Sequence, residues 1–195
     1  MFKKFFVPIL ALIILIPLSA NAWSLWKRKT ANPIVKPAEL SIEAKQATDN
    51  KYSLWQKIFD KSDIEGIIAN KDNLYFTEGE ISYLLASESV KAKKPLATNI
   101  TVALNNDSIK VNADFHKIVK GPIYFEGKIK VVDKKLRVEI AKVKYYSIPM
   151  PAAWGNSIIT KELDKYLAFI YNDKRYQGLE MIMVDKMVRA KPDFK

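Results

Sequence analysis

The sequence has no cysteine, and His116 is its only histidine among 195 residues. Without thiols there can be no disulfide and no acylated lipoprotein cysteine, so the fold must be held by its core alone. A lone histidine beside Lys117, read as solvent-facing at a strand end, leaves zinc and thiol sites without their usual ligands. Glycine is scarce, with six in the chain, and none of them build a phosphate-cradling loop. Ser157 lacks the flanking glycines of a nucleophile elbow. Aspartate and glutamate show no pairing at helical or strand spacing. These absences lead to the expectation of a non-enzymatic protein with no cofactor and no metal.

What is present is positive charge. The formal net charge is +11, and 49% of the residues are hydrophobic. This balance suits an anionic partner: nucleic acid, anionic lipid headgroups or an acidic surface polymer. The beginning of the sequence selects among them. Lys3 and Lys4 precede an apolar run over 5–18, and Ala20-Asn21-Ala22 has the small-x-small form of a cleavage site. The run is short of the ~20 residues of a membrane span, and Pro8 and Pro17 interrupt it. Residues 1–22 are therefore expected to be a signal peptide cleaved after Ala22, which places the protein in the periplasm. The alternative is an uncleaved inner-membrane anchor over residues 5–22, extended towards the interface by Trp23, Leu25 and Trp26. Export removes nucleic acid from the partners. Residues 23–50 read as a basic linker, with Lys27, Arg28 and Lys29 available to an anionic bilayer and Pro33 and Pro37 discouraging regular structure. Residues 51–195 read as a single α+β domain.

Within that domain, Tyr52, Trp55, Ile58 and Phe59 share one side of a helix over roughly residues 50–61. Leu74, Tyr75 and Phe76 suggest a short strand. Thr77-Glu78-Gly79-Glu80 has the form of a capping box, opening a helix with Ile81, Leu84 and Leu85 on one face and an end near Glu88. The period then changes from 3.6 to 2. Ile100, Val102 and Leu104 alternate up to a turn at Asn105-Asn106-Asp107, and Ile109, Val111, Ala113 and Phe115 return. Ile123, Phe125, Gly127, Ile129 and Val131 lead to a turn at Asp133-Lys134, followed by Leu136, Val138 and Ile140. A slip between Ile140 and Val143 predicts a bulge. Pro149 and Pro151 stop the strand and suit a helix start. Ile159, Leu163, Tyr166, Leu167 and Ile170 then form the apolar stripe of a long helix. Trp154, Ile158 and Phe169 make a second strip that needs its own cover, for which the aromatic face at 52–59 is a candidate. Leu179, Met181 and Met183, a turn at Asp185-Lys186, then Met187 and Val188 close with a hairpin. One-sided alternation in meandering strands indicates an antiparallel sheet with one dry face. The expected architecture is a strongly curved antiparallel sheet wrapping one long helix, with additional N-terminal helices.

The order of these elements, from Phe76-Thr77-Glu78-Gly79-Glu80-Ile81 through two hairpins to Ser147-Ile148-Pro149-Met150-Pro151 and the long helix, resembles the small bacterial envelope members of the tubular lipid-binding (TULIP-like) superfamily. The resemblance covers roughly residues 74–190. Two positions depart from it: Ser82 stands where such proteins often have asparagine, and Tyr145-Tyr146 where they often hold a glycine. The resemblance implies a lipid or other amphiphile bound between helix and sheet.

Independently, a sheet concave around a helix has an apolar interior. At about 0.8 kcal/mol per buried methylene, a dozen methylenes would gain roughly 10 kcal/mol before ordering costs. The candidate lining is Ile159, Leu163, Tyr166, Leu167, Ile170 and Phe125, with an anionic lipid favoured by the charge. The alternative is a filled core and an exported structural or interaction module. That module would act through Trp55, Phe59, Trp154 and the basic residues Lys27, Arg28 and Lys29, on a membrane surface or an envelope protein partner.

Overall fold

Ser41 starts the first described element. Its Oγ accepts from Ala44 N at 3.2 Å and caps helix α1, Ile42–Asp60. The computed structural model describes residues 39–91, 97–116, 120–146 and 148–195, without the side chains at 88–91, 153–155, 157–159 and 162. The expected signal or anchor over 1–22, the cluster Lys27, Arg28 and Lys29, and the side chains of Trp154, Ile158 and Ile159 lie outside the described residues.

Helix α1 begins at Ile42, so its first two turns occupy sequence assigned above to the linker. Thr48 explains the extension. It is buried, and its hydroxyl donates to Ala44 O at 2.7 Å and to Glu80 Oε1 at 3.4 Å, tying this part of the helix to the domain. A short helix α2, Ile64–Asn70, follows, capped by Asp63, whose Oδ1 accepts from Gly66 N at 2.9 Å. The sequence reading had no helix here. Strand β1, Tyr75–Thr77, leads into helix α3, Glu78–Lys91. The capping box is present: Thr77 N donates to Glu80 Oε2 at 2.8 Å, and Glu80 N donates to Thr77 Oγ1 at 3.2 Å. Glu80 also pairs with Lys51 of α1.

Strands β2 (Ala97–Leu104), β3 (Ser108–Phe115), β4 (Gly121–Val132), β5 (Lys135–Tyr145) and β6 (Ile148–Met150) form one antiparallel sheet in that order. The turn between β4 and β5 holds Asp133 and Lys134 at φ 51° and 64°, both left-handed, as a two-residue hairpin of this twist requires. The expected slip is a bulge: Glu126 pairs with Lys142 while Gly127 pairs with Ile140. At Gly127 a Cβ would stand 2.8 Å from Phe125 Cζ, so the ring can lie down only because this position has no side chain. Tyr146 has φ 52°, the region that favours glycine. The turn at this departure from the resemblance is therefore the one a glycine would make, with a tyrosine in its place.

The remaining strands form a second sheet rather than continuing the first. After helix α4, Ala153–Tyr171, strands β7 (Tyr176–Val184) and β8 (Met187–Phe194) make a hairpin whose outer partner is β1, in the order β1-β8-β7. Phe76 lies opposite Val188. The sequence reading expected a single sheet, because a three-residue strand more than a hundred residues upstream of its partner leaves no periodic trace. The coarse class, α+β with antiparallel sheets, is observed.

The interior divides as well. A closely packed core on the large sheet contains Val102, Val111, Phe115, Phe125, Val143 and Tyr145, with Leu85 from α3. A second cluster joins Trp55, Ile58 and Ile67 to Ile170, with Leu167, Phe169, Tyr176 and Phe194 around them.

Candidate functional site

The second cluster is not filled. A cavity of about 220 Å³ lies among α1, α2, α4, β5 and the small sheet. Helix α4 supplies Leu163, Tyr166, Leu167, Ile170 and Tyr171; the opposite wall is Leu179, Ala190 and Pro192. Phe59, Ile67 and Leu74 close one side and Leu136 and Tyr176 another. Most of these side chains are half-buried, because the cavity they line is partly open to solvent, whereas Val102, Val111 and Phe125 in the first core are 0–4% exposed. A packed interior ordinarily has few voids larger than a water molecule. This cleft is partly open to solvent, and its wall is hydrocarbon.

Local sequence explains why α4 presents this face. Leu163, Tyr166, Leu167 and Ile170 recur at helical spacing and turn towards the cavity, while Lys161 and Lys165 are exposed. The helix is fastened along β5 by side chains rather than by apolar contact alone. Asn156 Oδ1 accepts from Ile140 N, Asp164 pairs with Arg137 at 2.7 Å, and Tyr171 Oη accepts from Leu136 N at 3.0 Å. Two of the three phenols on the wall turn their hydroxyls towards the β4–β5 hairpin: Tyr176 donates to Lys134 O, and Tyr171 reaches Leu136. Burial raises both phenols. Tyr176 is pushed up to about 12 by burial and then by the neighbouring Tyr171. For Tyr171, burial outweighs the opposing pull of the Leu136 hydrogen bond and the Arg137 cation.

Two ion pairs link the helices on one side of the cavity to the small-sheet region on the other. Arg175 reaches Glu65 at 2.7 Å, and Arg189 reaches Asp72 at 3.0 Å. Both carboxylates are largely exposed, so each pair contributes little. The closure therefore depends mainly on apolar contact, including the edge-to-face stacking of Phe59 on Phe169 at 5.6 Å. That contact supplies part of the cover that the second strip of α4 needs.

Leu163, Tyr166, Leu167 and Ile170 come together on the cavity as the stripe suggested. Phe125 does not join them. It is 4% exposed in the other core, among Val102, Val111, Val143 and Leu85. Trp55 is not a surface contact either: it is 2% exposed, and its Nε1 donates to Asn73 O at 3.3 Å. Phe59 moves from the expected surface to the cavity wall. Helix α2, β8 and the phenols of Tyr171 and Tyr176 were missed as wall-forming elements. Only Tyr171 carried a signal, one position beyond Ile170 on the same helix. His116 is exposed, with Nε2 2.7 Å from Thr98 Oγ1. Among the described residues no three His, Asp or Glu side chains gather to hold a metal, and no helix is long and apolar enough to cross a membrane.

No protein-family model matches this sequence, and no curated protein matches it significantly.

Proposed function

We propose that the protein is a non-enzymatic binder of amphiphiles in the cell envelope, holding the hydrocarbon part of its ligand in the cavity between α4 and the small sheet. One observation carries this reading: an apolar cleft of about 220 Å³, partly open to solvent, runs between α4 and the small sheet with a wall of half-buried side chains. An apolar cavity of about 150 Å³ stays dry and takes a benzene-sized guest, so by proportion this one suits roughly nine carbons. That is a single chain, not a two-tailed lipid. On this reading the two sheets act together as the curved wrap around α4. The contact of Tyr176 with the β4–β5 turn and the packing of Met183 and Val188 on the large-sheet core support it. The TULIP-like resemblance and the export signal point to the same setting.

Solvent extraction and native mass spectrometry of the protein purified from its own envelope test the proposal. A single-chain amphiphile at near-equimolar ratio is expected. Leu167→Gln should lose it while keeping the circular dichroism of the fold. Protein that purifies empty and takes up no alkyl ligand in solution would sink the reading.

A further inference from the structure

We propose that Lys135 is the headgroup site of this cavity, and that the ligand is therefore a single-chain amphiphile with an anionic head, such as a carboxylate or a phosphate monoester. The inference rests on the cavity's being a ligand site. Its own basis is the arrangement at the β4–β5 hairpin, where the hydroxyls of Tyr171 and Tyr176 converge.

Tyr176 donates to Lys134 O and Tyr171 accepts from Leu136 N, so the backbone on each side of Lys135 is pinned by a phenol belonging to the cavity. Both hydroxyls are thereby engaged with backbone groups of the hairpin. The Lys135 ammonium stands over the Tyr171 ring, 5.7 Å from its centroid, within the range of a cation–π contact. Tyr171 lines the cavity, and Leu136, the next residue after Lys135, lines it as well.

Three nearby cations are already matched. Lys128 pairs with Asp107, Lys130 with Glu139 and Arg137 with Asp164. Among the described residues Lys135 has no carboxylate partner, and it is half-buried. A half-buried cation held on an aromatic ring and lacking a counter-ion leaves room for an anion supplied from outside. An alkyl chain in the cavity would carry its head to this end. Lys134 differs. It is exposed, with its Cγ near Gly178 of β7, and so it provides the same charge in a different place.

The test compares decanoate with decanol, by calorimetry or displacement of a fluorescent alkyl probe, on the wild-type chain, Lys135→Glu and Lys134→Glu. Decanoate should bind the wild type at least tenfold tighter than decanol. Lys135→Glu should remove that advantage while leaving decanol within twofold, and Lys134→Glu, with the same change of net charge, should leave it largely intact. Equal weakening of decanoate by both substitutions would replace the headgroup site by a general field and overturn the inference. Equal binding of decanoate and decanol to the wild type would overturn it while leaving the cavity's role standing. Failure of both probes to bind would remove the cavity's role and, with it, this inference.

Discussion

The carboxamide of Asn156 is docked on the backbone of Ile140, accepting from its N–H at 2.5 Å and facing its carbonyl oxygen at 3.5 Å. Ile140 sits beside the bulge of β5, on the edge that β6 does not reach. The opposite edge of the same sheet is closed in the same manner. Ser82 of α3 accepts from Val102 N at 2.9 Å, and the buried carboxylate of Glu78 accepts from Leu104 N at 3.1 Å. A helix side chain thus replaces a missing strand on each side, which blunts two edges that could otherwise pair with another chain.

Removing either plug should leave a buried backbone group unpaired. Asn156→Ala and Ser82→Ala are each expected to cost about 1–3 kcal/mol in urea unfolding. Combined, the two should cost about the sum, since distant sites without shared partners act independently. A cost within 0.5 kcal/mol of zero, ordinary for a surface change, would show that water takes over both roles.

The two interiors should respond differently to truncation. Phe125→Ala in the closed core is expected to cost about 3–5 kcal/mol. Leu167→Ala, which enlarges space already unfilled, should fall at or below about 2 kcal/mol, the low end for a leucine. Equal losses in chemical denaturation would mean that the second cluster is packed as tightly as the first in solution.

Tyr146 tests the left-handed turn before β6. Glycine and alanine both remove the ring and its edge-on contact with Tyr145 at 4.9 Å, but only glycine adopts φ 52° freely. Tyr146→Gly should therefore be more stable than Tyr146→Ala by about 1 kcal/mol. The same stability for both would place this turn outside the left-handed region.

Alkali should loosen the cavity. The Tyr176 hydroxyl has an ordinary value near 10 and is pushed up to about 12 in the fold, because burial favours its neutral form. Its contribution is therefore complete below about pH 10, where both folded and unfolded chains hold the proton. It is lost between about 10 and 12 as the unfolded chain gives up its proton first. Tyr176→Phe should be less stable near neutrality, having lost the bond to Lys134, yet show a flatter decline above pH 10, followed by circular dichroism and tyrosinate absorbance.

Much of the architecture was legible because it is local. The Thr77–Glu80 box, both Asp-Lys turns and the slip near Ile140 are each encoded within a few residues, and the stripe of α4 within three turns. What was not legible depends on distance along the chain. Trp55 looked like a surface aromatic because its acceptor, Asn73 O, lies in a turn with no recognisable pattern. The start of α1 at Ile42 depends on Thr48 meeting Glu80, a contact that periodicity cannot register. Lys135 drew no attention because a lysine beside a turn is ordinary until its counter-ion is found to be missing. Phe125 was assigned to the wrong interior because alternation identifies an inward face without saying which of two interiors it meets.

Strand β1 waits for its partner during synthesis. Phe76 is made about 110 residues before Val188, and forming contacts across such a separation comes late because the loop must close first. Until β7 and β8 emerge, β1 has no strand partner, and one wall of the cavity does not exist. Meanwhile the large sheet and most of its closed core can already form from residues 78–150. The aromatic face of α1, with Phe59, and the apolar face of α4 are then left uncovered in the nascent chain. A hydrocarbon tail or a holding chaperone that reached them at this stage would meet the same surfaces that later line the cavity. The moment of loading and the completion of folding would then be a single event.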